Sequence, residues 1–289
     1  MNLSEFKVIE PIQLKQLPTE LDLQLSNKKL KKQLRKERRD LGEMQNTLYA
    51  HNKYSVLVCI QGMDTSGKDS LVREVFKDFN VRGVNSYSFK KPTAIELQHN
   101  YLWRHFKVLP ARGKYAVFNR SHYENVLISR VKPEIVLNEN IPNINSIEDI
   151  TPQFWENRLE QIKDFEQIIH QNGCIVFKFF LHISKEEQKN RILRRLNKPS
   201  KNWKFSPEDL KDRKLWNTYI DCYEDAINST SKTHAPWYVI PSDNKHQARL
   251  LVAKLIKERM QTYTEIQNPI LAEALQNQIS SYKDELENS

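Results

Sequence analysis

Short apolar runs along the chain alternate with stretches in which apolar residues return every three or four positions. Residues 56–60, 84–89, 114–118, 174–181 and 237–241 have the length and β-branched or aromatic content of buried strands. The run at 174–181 is apolar at every position but Lys178, which predicts a central strand covered on both faces. Between the runs, three sets keep helical spacing: Leu71, Val72, Val75, Phe76 and Phe79; Trp155, Leu159, Ile162, Phe165 and Ile169; and Ala248, Leu251, Val252, Leu255, Ile256 and Met260. Strands alternating with helices predict an α/β fold, a five-stranded parallel sheet in three α/β/α layers, with ligands outside the carboxyl ends of the strands.

Local signals refine this outline. Residues 1–26 show no sustained period and are broken by Pro11 and Pro18, so they are expected to lie as an extended arm over the body. A helix is predicted from 27 to about 50, with Leu30, Leu34, Leu41, Met44 and Leu48 on one stripe. Thr93 caps a helix carrying Ile95, Leu97, Tyr101, Leu102 and Phe106; residues 131–150 read as loop; Thr151-Pro152 opens a long helix. Another long helix carries Leu210, Trp216, Tyr219, Ile220 and Tyr223. The units expected are an arm and basic helix at 1–50, a catalytic domain at 51–263, and a polar helical tail at 264–289. Ile270, Leu271, Leu275 and Ile279 share one face of that tail, which suits a contact between subunits and hence a homo-oligomer.

Charge adds a partner class. The 289 residues carry 45 Lys+Arg against 36 Asp+Glu, a net charge of +9, which suits a polyanion. Eight cations fall between Lys28 and Arg39, a density that either marks a solvated face or calls for an anion. Cys59, Cys174 and Cys222 are too few and too dispersed for a disulfide framework or a zinc site, and Cys59 and Cys174 read as core residues in strands. Neither a signal peptide nor an apolar stretch of membrane-spanning length is apparent, so a cytoplasmic protein with no membrane contact is expected.

The chemistry centres on Gly62-Met63-Asp64-Thr65-Ser66-Gly67-Lys68-Asp69, between the first strand and the following helix. That context identifies a phosphate-binding P-loop, and the fold as P-loop kinase-like. Gly62 and Gly67 admit backbone conformations that let successive N–H groups converge on phosphate oxygens. Thr65, Ser66 and Asp69 complete the cradle, and Lys68 reads as a mobile cation at its mouth. Asp69 stands where a hydroxyl would touch Mg²⁺, so Asp64 is the nearest replacement ligand. Lys90 and Lys91, at the end of the second strand, occupy a ligand-binding position. After the third strand Asn119 takes the place of the expected acid, Arg120 offers a planar fork for phosphate oxygens, and Glu124 supplies a carboxylate one turn on. Ser121 and His122 do not make a nucleophile and base, since no elbow motif surrounds the serine and no third group orients the histidine. His99 and His105 read as ordinary helix residues. The helix opened by Ser184 and Glu187 carries Lys189, Arg191, Arg194 and Arg195; the arginines, at i, i+3 and i+4, are spaced to reach one ligand, as in a cationic lid at about 184–206.

These motifs together resemble the polyphosphate kinase 2 family, in particular the group that phosphorylates both nucleoside monophosphates and diphosphates. The resemblance rests on the P-loop and on residues 101–105 (YLWRH), 118–126 (FNRSHYENV), 178–188 (KFFLHISKEEQ), 202–206 (NWKFS) and 235–241 (APWYVIP), and spans about 55–260. It implies inorganic polyphosphate as donor, with AMP and ADP, and also GMP and GDP, as acceptors, reversibly. It implies Mg²⁺, or Mn²⁺ in its place, near Asp64 and Glu124, Arg120 at the transferred group, and a lid after Ser184. Asn119, His122 and Glu124 depart from the aspartate and tryptophan of many relatives, a variant associated with use of AMP. An ATP-dependent nucleoside monophosphate kinase of thymidylate-kinase-like fold would not need this cationic excess. A non-catalytic protein binding nucleic acid or another polyanion would leave the P-loop and Arg120 idle, and no nucleic-acid fold signature is present.

Overall fold

The structure, a computed structural model, describes residues 2–289. Helix α1 (Asn27–His51) precedes strand β1 (Ser55–Gly62), and the P-loop joins β1 to α2 (Lys68–Val75). Then come β2 (Val84–Ser88), α3 (Ala94–Leu97), α4 (Trp103–Phe106), β3 (Tyr115–Asn119), α5 (Ile128–Val131), α6 (Glu134–Leu137) and α7 (Pro152–Gln171). Strand β4 (Cys174–His182) leads through α8 (Lys185–Leu196), α9 (Pro207–Lys214) and α10 (Trp216–Thr230) to β5 (Trp237–Pro241), α11 (Lys245–Gln261) and α12 (Glu273–Glu287).

All five strands are parallel, in the order β2-β3-β1-β4-β5. β1 and β4 are buried along their whole length, as central strands must be. Alternation along β1 divides the core: Val56, Val58 and Ile60 pack with α1, α2 and α11, whereas Leu57 and Cys59 face the opposite layer, where Phe165 and Ile169 of α7 lie. The sheet is therefore the middle of three layers. β5 is an edge, and the N-terminal arm covers it through a bridge between Lys7 and Tyr238 and a bond from Val8 N–H to the Trp237 carbonyl. Leu14 anchors the arm: it is fully buried, and its N–H donates to Glu224 at 2.7 Å.

Four helical expectations change. The helix after the P-loop stops at Val75, and Phe79, which lies beyond it, is buried with an edge-to-face contact to Phe76. The Thr93 capping box forms, but that helix ends at Leu97; Asn100 then turns the chain by accepting from Leu102 N–H, and α4 starts afresh. The predicted helix through Leu210 and Tyr223 is two helices, broken at Leu215. Residues 131–150 hold the single-turn α6 and a short 3-10 turn capped by Ser146 and Asp149. The tail helix α12 buries no residue, and among the described residues no helix is long and apolar enough to cross a membrane.

Candidate active site

The P-loop takes its shape from residues that tolerate unusual backbone angles. Gly62 (φ 151°) and Gly67 (φ 106°) both have positive φ, and a Cβ on Gly62 would meet the Leu181 carbonyl oxygen at 2.9 Å. Thr65 adopts φ 65°, a left-handed conformation uncommon for a β-branched residue and maintained only by the surrounding fold. The hydroxyls of Thr65 and Ser66 are buried with no hydrogen-bond partner among the described residues. Unpaired buried donors beside a helix N-terminus are what a phosphate-oxygen site offers.

Lys68 is not the freely mobile cation that its sequence position suggests. It is 8% exposed, and its Nζ donates to the carbonyls of Gly62 (2.6 Å) and Met63 (3.1 Å). A buried ammonium must be hydrogen-bonded, and the loop carbonyls are within reach of its stem. Burial, aided by the charge of Arg120, lowers its pKa to about 8 against the opposing pull of Asp64, Glu124 and Asp69.

Arg120, which has φ 62°, follows β3. One terminal nitrogen donates to Asp64 Oδ1 at 2.6 Å and the other to Glu124 Oε2 at 3.1 Å, so one guanidinium joins the two acids. Burial would raise the Asp64 pKa, but the charges of Arg120 and Lys68 outweigh it and hold the carboxyl below its ordinary value. Asn119 donates to Asp69 Oδ1 at 2.7 Å, fixing the loop's last residue to the strand end. No group of three or more His, Cys, Asp or Glu side chains fit to hold a metal ion occurs among the described residues. Among the described residues, Asp64 Oδ2 and Glu124 Oε1 accept no hydrogen bond, each carboxylate meeting Arg120 through its other oxygen. That donor set fits a divalent cation that takes one or two carboxylates and completes its shell with substrate phosphates and water.

Two cavities meet at this centre. The larger, about 660 Å³, is lined by Lys90, Lys91, Tyr101, Arg104, Arg120 and Glu124 among others; the smaller, about 240 Å³, by Asp64, Arg120, Glu124, Asp209, Asp212 and Tyr223 among others. Arg120 and Glu124 thus stand in the wall between them. Sequence reasoning missed Asp209 and Asp212. Asp209 caps its own helix from the Ser206 box, so nothing local signals its approach to the P-loop, yet burial and then the charge of Asp64 raise its pKa.

The cationic helix does not converge on one ligand. Arg191 is spent on the protein, donating to the carbonyls of Thr65 (3.1 Å), Ser66 (2.7 Å), Ser242 (2.6 Å) and Asp243 (2.9 Å) and to Glu187. Arg195 turns to Asp209 and the Lys204 carbonyl, whereas the side chains of Arg194 (53%) and Lys189 (52%) are exposed. The i, i+3, i+4 spacing holds, but the groups within reach of each guanidinium differ. Gln188, which the spacing did not single out, donates to the Asp64 carbonyl at 3.3 Å and accepts from Arg213 at 2.9 Å, tying α8 to the P-loop. Ser121 and His122 are fully buried; Ser121 Oγ accepts from Tyr123 N–H, and His122 pairs with Glu166 away from both cavities.

A parallel sheet in this order, with a P-loop at the end of its central strand and an acid-bridged arginine on the next, defines a phosphotransferase of the P-loop kinase type. The chain belongs to the polyphosphate kinase 2 family, whose model matches residues 24–268, and is a polyphosphate:nucleotide phosphotransferase. It is 44% identical over 254 residues to an ADP-polyphosphate phosphotransferase of Rhodopseudomonas palustris, covering 88% of this chain and 87% of the relative. It is 42% identical over 223 residues to an AMP/ADP-polyphosphate phosphotransferase of Meiothermus ruber, covering 77% and 78%. The crystal structure of polyphosphate kinase 2 from Arthrobacter aurescens TC1 superposes with a TM-score of 0.89 at 31% identity, covering 100% of this chain and 98% of the other.

Proposed function

We propose that this enzyme moves the terminal phosphoryl group of inorganic polyphosphate reversibly onto AMP and ADP, giving ADP and ATP, with GMP and GDP as further acceptors. The observation that carries this reading is the Asp64–Arg120–Glu124 bridge in the wall between two cavities. The P-loop side receives the donor. The larger cavity, with Lys90, Lys91 and Arg104 at its rim, receives the nucleotide. A phosphoryl group crossing between them passes Arg120, whose remaining N–H donors and charge stabilise its equatorial oxygens.

The attacking oxygen belongs to the acceptor's own phosphate and is already anionic, so positioning and charge neutralisation suffice without a strong base or a phosphoenzyme. Lys68 and the amides of the loop from Gly62 to Asp69 orient the donor, and Asn119 holds Asp69 in place. Asp64 and Glu124 would hold Mg²⁺ or Mn²⁺, which when bound adds positive charge at the bridging oxygens. Residues 184–206, with Lys189, Arg194 and Arg195, act as a lid that brings cations over the donor and excludes water, while Arg191 ties its base to the loop. Glu124 supports the monophosphate acceptor, since AMP lacks the β-phosphate of ADP and its oxygen must be held nearer the centre. The tail helix α12 serves contact between subunits. The test is incubation of the enzyme with Mg²⁺ and either AMP or ADP, with polyphosphate or ATP as donor, resolving products by chromatography. Conversion of both acceptors by polyphosphate supports the reading; conversion of AMP by ATP alone opposes it.

A further inference from the structure

The eight cations of the first half of α1 divide into two kinds. Arg38 is ion-paired, to Glu74 (3.7 Å) and Asp78 (3.3 Å); among the described residues no other cation from Lys28 to Arg39 has an acidic partner. Lys28, Lys31, Lys32, Arg35 and Arg39 fall at i, i+3, i+4, i+7 and i+11, so they share one exposed face, opposite buried Leu30, Leu34 and Leu41. At the helical rise this stripe is roughly 16 Å long. Like charges so aligned repel one another, and an unpaired single-sign stripe is a less stable arrangement than the mixed surface usual on helices.

The stripe starts at the end of the sheet that holds the P-loop. α11 begins just beyond the carboxyl end of β5, the end of the sheet at which the P-loop also lies. α1 runs alongside α11 in the same direction, with Lys31 near His246 and, further along, Glu37 and Asp40 accepting from Lys257. A cavity of about 530 Å³ at this end is lined by Asn27 of α1, Arg191 and Arg194 of α8, and Lys245 and His246 of α11. Two of the acids lining it are already engaged: Asp243 by Ser184 N–H and Thr19, and Glu187 by Arg191. Nearby Arg249 is 8% exposed, and its Nε is buried without a hydrogen-bond partner among the described residues. Burial and then the charges of Arg249, Arg194, Arg191 and Lys201 lower the pKa of Lys245, so cations crowd the rim as well.

We propose that this stripe is a second polyphosphate site, entered over Lys245 and His246 and continued along Lys28, Lys31, Lys32, Arg35 and Arg39, which holds the part of a long chain extending beyond the P-loop. The proposal rests on polyphosphate being the donor. A chain of only a few phosphates fills the P-loop site and does not reach α1; a long chain gains contacts along the stripe and releases counterions there.

The test is the quadruple variant Lys28→Gln/Lys31→Gln/Lys32→Gln/Arg35→Gln, whose side chains are exposed and whose melting should match the wild type. With tripolyphosphate as donor, kcat and KM should be unchanged. With long-chain polyphosphate, KM should rise roughly tenfold or more at unchanged kcat, and its log–log salt slope should flatten by about 3. Equal KM shifts for both donors, or none for either, would overturn the site. So would loss of duplex nucleic-acid binding with the long-chain KM unchanged, which would make the stripe a nucleic-acid face. Direct binding of long-chain polyphosphate without acceptor separates this claim from the donor assignment. Binding lost in the variant supports the stripe even if the wild type turns over no polyphosphate, a result that would sink the donor reading alone; wild-type binding by the variant overturns the stripe whatever the turnover.

Discussion

Arg120 donates to Asp64 at 2.6 Å from a strand end to a loop, while its second terminal nitrogen remains on Glu124 at 3.1 Å. The bridge keeps Asp64 ionised despite burial, which leaves one oxygen able to meet a cation. Asp64→Asn removes that charge at nearly constant shape. Turnover should fall roughly 10²-fold, and the Mg²⁺ concentration for half-maximal rate should rise. Titrating Mg²⁺ against initial rate checks this; an unchanged Mg²⁺ midpoint would remove Asp64 from the metal's surroundings.

Lys68 has a pKa of about 8, lowered by burial and Arg120. The sign follows from where the proton is lost: in the free enzyme the ammonium deprotonates above about pH 8, weakening donor capture, whereas bound phosphate oxygens favour the charged form and shift that loss to higher pH. Thus kcat/KM for polyphosphate should decline above about pH 8 while kcat at saturating donor holds to higher pH. In Lys68→Met the residual rate should be at least about 10² lower and lack this alkaline limb. A wild-type kcat/KM that stays level through pH 10 would contradict the assignment.

Glu124 stands in the wall of the larger cavity, proposed above to receive the acceptor, and accepts from Arg120. Glu124→Gln should lower turnover with AMP more than with ADP, measured at saturating polyphosphate and Mg²⁺. Equal losses with both acceptors would make the residue a general part of the centre and remove its role in acceptor choice.

Arg191, bonded to backbone carbonyls, and Arg194, proposed as a lid cation, sit on one helix and test structure against ligand contact. Arg191→Ala removes four bonds to backbone carbonyls that join the P-loop to the end of β5, so it should destabilise the fold by roughly 2–4 kcal/mol and impair both substrates. Arg194→Ala, at a half-exposed side chain, should leave melting unchanged and raise KM for polyphosphate alone. Thermal melts with paired KM measurements decide. Equal destabilisation by both substitutions would refute the division of roles.

The strands and the P-loop were legible because their causes are local. Residues 174–181 are apolar at every position but Lys178, and only a glycine accommodates the φ and close approach at Gly62. The break at Leu215 and the early stop after Leu97 were not legible, because helical spacing continues across both, whereas the chain turns at Asn100, whose side chain accepts from Leu102 N–H, and restarts at buried Trp216. At the site, sequence placed Asp64 and Lys68 after the first strand and Arg120 and Glu124 after the third, and the parallel pairing of β1 with β3 brings the two ends together. It could not show that Lys68 folds back on its own loop, that Arg191 is consumed by carbonyls, or that Asp209 and Asp212 arrive from α9. Each depends on contacts between distant segments, and periodicity carries no information about them.

In the proposed reaction, phosphoryl transfer from polyphosphate passes Arg120. Single-turnover transfer from polyphosphate to AMP and to ADP, with Mg²⁺ and with enzyme in excess over nucleotide, tests it in the wild type and in Arg120→Gln, with a melting curve for each. Arg120→Gln should lose roughly 10²–10³-fold with both acceptors while still melting cooperatively. Transfer at the wild-type rate by folded Arg120→Gln would contradict it.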